Sequence, residues 1–183
     1  VKFIFQPAEE GVPQGEEGGA ALMVKEGVLE NPKPEAILGL HVLSSVPTGK
    51  LEYRSGPVMA SIDSFRITVR GRQTHGAMSW RGVDPIVVAS QIVLGLQTIA
   101  SRQVDVTKEP SIVTVGSIHG GARFTIIPDS VEMLGTVRTY DEEMRADIHR
   151  RITTTAELIA KSAGASAEVA IDKMNPATVN HTG

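Results

Sequence analysis

From residue 63 to residue 172 the apolar pattern switches repeatedly between a repeat of two and a repeat of about 3.6, and this order of periods restricts the fold more than anything else in the chain. Ser64-Phe65-Arg66-Ile67-Thr68-Val69-Arg70-Gly71 alternates as a half-exposed strand does. Asp84-Pro85 then supplies an N-cap acid and a proline at the first helical position. The helix they open runs to about residue 101, with Ile86, Ala89, Ile92, Val93 and Leu96 on one face. Residues 112–118 and 131–138 alternate again and form a hairpin across a glycine-rich loop at 119–129. Asp141 caps a second helix that stops at Gly164, and residues 167–171 are a last strand.

That order, βαββαβ, predicts an α/β (α+β) unit of the ferredoxin-like type, two helices on one sheet. The flanks read differently. Residues 1–5 and 36–42 are apolar and predict buried strands, with a helix at residues 20–26 closed by Gly27 between them. Strand, helix and strand suit one unit of a parallel sheet. The expected organisation is therefore a piece of an α/β catalytic domain over residues 1–53, a two-layer domain inserted over 54–173, and a return to the first domain over 174–183. The chain opens on Val1-Lys2-Phe3-Ile4-Phe5 and closes on Asn180-His181-Thr182-Gly183, so both ends read as the interior of a longer protein.

Composition excludes several classes. There is no cysteine, hence no disulfide framework, thiolate nucleophile or cysteine-bound metal within these residues. A net charge of −3 and 4% aromatic residues do not suit a nucleic-acid surface. No apolar run reaches the roughly 18 residues of a membrane span. A cytoplasmic location is expected.

Chemistry can be sought where a parallel strand ends. Glu9-Glu10 follow the first apolar run, and adjacent carboxylates can divide the labour of holding a cation and moving a proton. His41 ends the next run and offers an imidazole to the same ion. The competing readings are a solvated acidic pair and a hydrogen-bonded core histidine.

Several motifs, in order, favour the first reading. Phe5-Gln6-Pro7-Ala8-Glu9-Glu10-Gly11, Gly39-Leu40-His41-Val42, Gly71-Arg72 with His75-Gly76-Ala77, and Gly82-Val83-Asp84-Pro85-Ile86 resemble the co-catalytic metallopeptidase and amidohydrolase family of carboxypeptidase G, hippurate hydrolase and indole-acetyl-amino-acid hydrolases. Ile126-Ile127-Pro128-Asp129, Gly135-Thr136-Val137-Arg138-Thr139 and Asn175-Pro176 with Thr178-Val179-Asn180 extend the resemblance over essentially the whole chain.

The resemblance implies a metal-activated water that cleaves the amide bond of N-acyl amino acids, with Glu9 as general base and Glu10 and His41 as metal ligands. It implies two divalent ions in the complete enzyme, drawn from Zn, Mn, Co or Ni, whose remaining ligands lie outside these residues. These residues alone are then expected to bind metal weakly and not to hydrolyse amides, since tight binding needs a full ligand set. It also implies a homodimer formed through the inserted domain, with His75 reaching the substrate carbonyl in the partner's site. Strand geometry agrees, because a rise of about 3.3 Å per residue carries His75 on the order of 30 Å from the hinge. The 119–129 loop lies at the same far end.

Where the family commonly has asparagine, this chain has Thr125, so substrate contact by that loop falls to Thr125 or Arg123. Arg138 is expected to pair with Glu132, and His119 and His149 to occupy a loop and an exposed helix face. The alternative class is a non-catalytic dimerisation module; a deacetylase or dipeptidase of the same family is the other parent activity.

Overall fold

The computed structural model describes residues 1–8, 11–13 and 16–181. It divides into two compact units, Val1–Glu52 and Tyr53–Gly183.

Among its described residues the first unit contains one helix, α1 (Gly19–Lys25), capped by Glu26 and followed by Gly27 at φ +83°. That left-handed position suits a residue without Cβ, so the expected stop is in place. The two expected strands are not. Residues 1–6 and 37–43 have no ladder partner among the described residues, and Phe3, Phe5, Leu38, Leu40 and Val42 are exposed. A parallel strand is held by neighbours and covered on both faces. Here the apolar runs meet neither.

The second unit begins with β1 (Gly56–Met59), β2 (Ile62–Arg70) and the short β3 (Thr74–His75). After α2 (Pro85–Thr98) come β4 (Ser111–Gly120), β5 (Ile126–Ile127) and β6 (Ser130–Thr139). The chain ends with α3 (Glu142–Ser162), β7 (Ser166–Asn175) and β8 (Thr178–Asn180). The main sheet has the order β4-β6-β2-β7, with every neighbour antiparallel. This is the ferredoxin-like arrangement that the order of periods predicts. Among the described residues no helix is long and apolar enough to cross a membrane.

Each helix starts where its cap requires. The Asp84 carboxylate accepts from the Ile86 and Val87 amides, and that of Asp141 from the Met144 amide. Alternation decides the sheet's faces. Phe65, Ile67 and Val69 of β2 and Val131, Met133 and Val137 of β6 point to the helices and are buried. Met144, Ile148, Ile152, Ala156 and Ala160 form the matching stripe on α3, one residue per turn. On α2 the buried face is Val88, Ala89, Ile92 and Leu96, whereas Ile86 is exposed. The Asp84 cap turns the first helical turn so that Pro85 and Val88, not Ile86, face the sheet. Gly135 allows the closest approach: a Cβ there would lie 2.1 Å from Cζ of Phe65 and 2.3 Å from the Thr114 carbonyl oxygen.

Two charged residues depart from expectation. Glu132 pairs with Arg66, its neighbour on the open face of the sheet, while Arg138 stands opposite Ile112. His149 is buried, its Nε2 donating to Oδ2 of Asp63 at 2.8 Å. Asp63 starts the buried row of β2, so α3 must turn its Arg145–His149 edge inward to meet it. The small sheet of β1 and β8 pairs Gly56 with Asn180, bringing entry and exit of the domain side by side.

Candidate functional site

The register places the two distal loops together. Arg70 ends β2 opposite Ser130, the first residue of β6, and Gly120 ends β4 opposite Val131. The segments at 71–84 and 121–129 therefore leave from the same end of the sheet, as the βαββαβ order demands. They are stitched to each other by the Gly71 amide donating to the Asp129 carbonyl at 2.8 Å. A two-residue ladder follows, pairing Thr74 with Ile127 and His75 with Ile126. The Gly76 amide then donates to the Thr125 carbonyl at 2.8 Å. A Cβ on Gly76 would sit 3.1 Å from that oxygen, a tight contact that glycine avoids.

His75 is exposed, and its ring is held by its own turn. The Ala77 amide donates to Nδ1 at 3.1 Å. An imidazole nitrogen that accepts carries no hydrogen, so in the neutral ring Nε2 is the N–H donor. The arrangement thus presents one hydrogen-bond donor outward from the tip of the domain. Such a donor can polarise a carbonyl and stabilise the oxyanion that forms from it.

The second loop closes as a turn, the Ile126 amide donating to the Arg123 carbonyl at 3.1 Å. Arg123 and Thr125 are both exposed beside the His75 strand. A cleft of about 540 Å³ opens along this loop, lined by Arg123 together with Gln73, His119, Asp129 and Glu132. The structure brings His75, Thr125 and Arg123 into one neighbourhood. It adds His119, which lies on β4 opposite Glu132 rather than in a loop.

The other candidates belong to the first unit. Glu9 and Glu10 lie outside the described residues. His41 is exposed, with Nδ1 2.9 Å from the Val42 carbonyl oxygen. That oxygen can only accept, so Nδ1 carries the hydrogen. Among the described residues no three His, Cys, Asp or Glu side chains converge as a metal cluster does.

Comparison with known proteins adds an independent line. Residues 60–163 match the family model described as the peptidase dimerisation domain. Over 169 residues the chain is 37% identical to an N-acetyl-L-cysteine deacetylase of Bacillus subtilis, covering 92% of this chain and 39% of that protein. It is 38% identical to the IAA-amino acid hydrolase ILR1-like 4 of Arabidopsis thaliana, covering 83% of this chain and 33% of that one. Among solved structures, a dinuclear metal-binding peptidase from the M20 family of Bacillus subtilis superposes with a TM-score of 0.68 at 33% identity. That match covers 88% of this chain and 39% of the other. The chain thus spans well under half the length of each.

Proposed function

The chain belongs to the M20 peptidase dimerisation-domain family, and from that premise we propose that it is part of a longer metal-dependent amidohydrolase acting on N-acyl amino acids. The reading is carried by His75, a histidine whose Nε2–H is set outward by the Ala77 amide at the distal tip, beside Thr125 and Arg123. The relatives support the substrate class, being a deacetylase of an N-acetyl amino acid and a hydrolase of IAA-amino acids.

In this proposal Glu9 is the general base that takes the proton from the attacking water, and Glu10 and His41 hold a divalent ion. The ion, when bound, lowers the pKa of water and polarises the amide carbonyl. His75 donates from Nε2 to the carbonyl oxygen as it becomes an oxyanion, and Arg123 and Thr125 bind the carboxylate and neighbouring polar groups of the substrate. The domain carrying His75 is inserted over residues 54–173, and His75 serves the site of a partner subunit.

The homodimer that this requires fits one edge of the sheet. β4 is an edge strand of ten residues without a Lys, Arg, Asp, Glu or Pro. The opposite edge, β7, carries Glu168, Asp172 and Lys173, the usual protection of an unpaired strand. Beside β4, α2 exposes Val87 and Leu94. We assign β4 and α2 to contact with the same elements of a second copy.

The decisive experiment uses the full-length, metal-loaded protein with N-acetyl, N-benzoyl and indole-acetyl amino acids. Hydrolysis that a chelator removes is expected. Glu9→Gln and His75→Ala should each be inactive as homodimers, and mixing the two should restore activity, because one site of each mixed dimer has both residues. No hydrolysis of any N-acyl amino acid would refute the activity. Failure of the mixture to recover would refute the exchange between subunits.

A further inference from the structure

The turn that carries Thr125 also carries a phenylalanine that the domain does not use. Phe124 is 103% exposed relative to a free reference residue. It stands at a corner of the Arg123–Ile126 turn, where short polar residues, glycine and proline are the ordinary choices. Burying a ring of this kind is favourable, and here none of that gain is made on folding. The ring therefore does nothing for the stability of this unit, although the same turn is anchored on both sides.

Its position is defined by those anchors. The Gly76–Thr125 hydrogen bond and the His75–Ile126 pairing hold the turn on the strand that ends in His75. Two residue steps of about 3.8 Å and one cross-strand spacing of about 5 Å put the Cα atoms of Phe124 and His75 within roughly 13 Å. The segment after His75 is apolar as well: Trp80 is 76% exposed and Met78 is also exposed, both within the short helical turn Gly76–Arg81. Exposed apolar side chains thus stand in both segments next to His75, while Arg123 supplies the charge.

We infer that Phe124 is a specificity-determining residue that packs on the acyl group of the substrate whose carbonyl His75 contacts, favouring a flat aromatic acyl group over acetyl. The inference rests on the activity proposed above. It goes beyond it in assigning the apolar half of the tip to the acyl side of the amide and Arg123 to the carboxylate side. An aromatic acyl group can lie offset against the Phe124 ring, whereas acetyl is too small to cover it.

The test compares kcat/KM for the N-benzoyl and N-acetyl derivatives of one amino acid in the full-length, metal-loaded protein. Phe124→Ala should lower the benzoyl-to-acetyl ratio by about tenfold or more, the scale of discrimination that an apolar contact provides. Phe124→Leu, which keeps apolar volume without the ring, should recover part of the ratio, and Trp80→Ala should move it in the same direction by less. An unchanged ratio in Phe124→Ala overturns the inference while leaving the amidohydrolase reading intact. So does an equal loss on both substrates, which would mean that Phe124 packs on the protein surface around the partner's site. Hydrolysis of neither substrate by the unaltered protein would overturn both.

Discussion

Asp63 receives the guanidinium of Arg145 with both of its oxygens: Nε donates to Oδ2 at 2.7 Å and Nη2 to Oδ1 at 2.5 Å. The carboxylate is completely buried, and it also accepts from His149 and from the Met174 amide at 3.2 Å. One acid thereby joins the start of β2, the first half of α3 and the end of β7, close to where the chain enters and leaves the domain. Removing it leaves the buried arginine with only the exposed Glu142 as an acidic partner, and His149 without its acceptor. Asp63→Ala is expected to cost about 3–5 kcal/mol, read as a lower urea midpoint, because the bidentate half of a buried ion pair is lost. A double change of Asp63 and Arg145 to apolar residues should recover part of that loss.

The same group makes stability depend on acid. Burial pushes the Asp63 carboxyl up, but the hydrogen bonds and charge of Arg145, with His149 and the Met174 amide, outweigh it and hold the group below its usual range. A carboxyl whose folded pKa is depressed contributes fully above its unfolded value, about 3.9, and loses that contribution as pH falls through the folded one. The urea midpoint should therefore drop as pH falls below about 4. Asp63→Asn should be less stable at neutral pH and show a shallower drop, since it has no such proton to take up. Equal slopes for the two proteins would contradict this account.

At the centre of the sheet, Gly135→Ala should destabilise by at least the 1–3 kcal/mol, roughly, of an overpacked core. The added methyl would meet both the Phe65 ring and the Thr114 carbonyl oxygen. Phe65→Leu in the same protein should relieve only part of the loss, because the carbonyl is backbone and stays in place. Thermal melts of the two single variants and the double variant measure this directly.

The assembly proposed for β4 and α2 predicts that a charge placed there separates the subunits. Leu94→Asp on α2 or Ile112→Lys on β4 should yield a monomer by light scattering with an unchanged circular dichroism spectrum. Glu168→Lys on the opposite edge, β7, should leave the dimer as it is. Dissociation by the β7 change alone would move the interface to the other side of the sheet.

Much of this domain is legible in the chain because the signals are local. Asp84 and Asp141 announce their helices within three residues, and the alternation of Phe65, Ile67 and Val69 identifies a buried row without knowledge of its neighbours. The topology then follows from the order of elements, and it carries His75 and Thr125 to the same end. Residues 1–6 and 37–43 show the limit of that logic. Their composition suits strands, but a strand exists only with a partner, and apolar content by itself pairs with nothing.

The polar contacts mark the same boundary. Whether Glu132 meets Arg66 or Arg138 depends on the register between strands, and both pairings satisfy the sequence equally well. His149 reads as surface in a helix whose polar residues are mostly exposed; it is buried because an acid 86 residues earlier faces it across the core. Caps and periods are decided by contiguous residues, so the sequence by itself determined the elements, their order and the fold class. Which charges are buried together and which apolar side chain is left uncovered at the tip depend on groups brought together by packing. Only the tertiary structure decided those, because hydrogen bonding and desolvation act through space and take no account of separation along the chain.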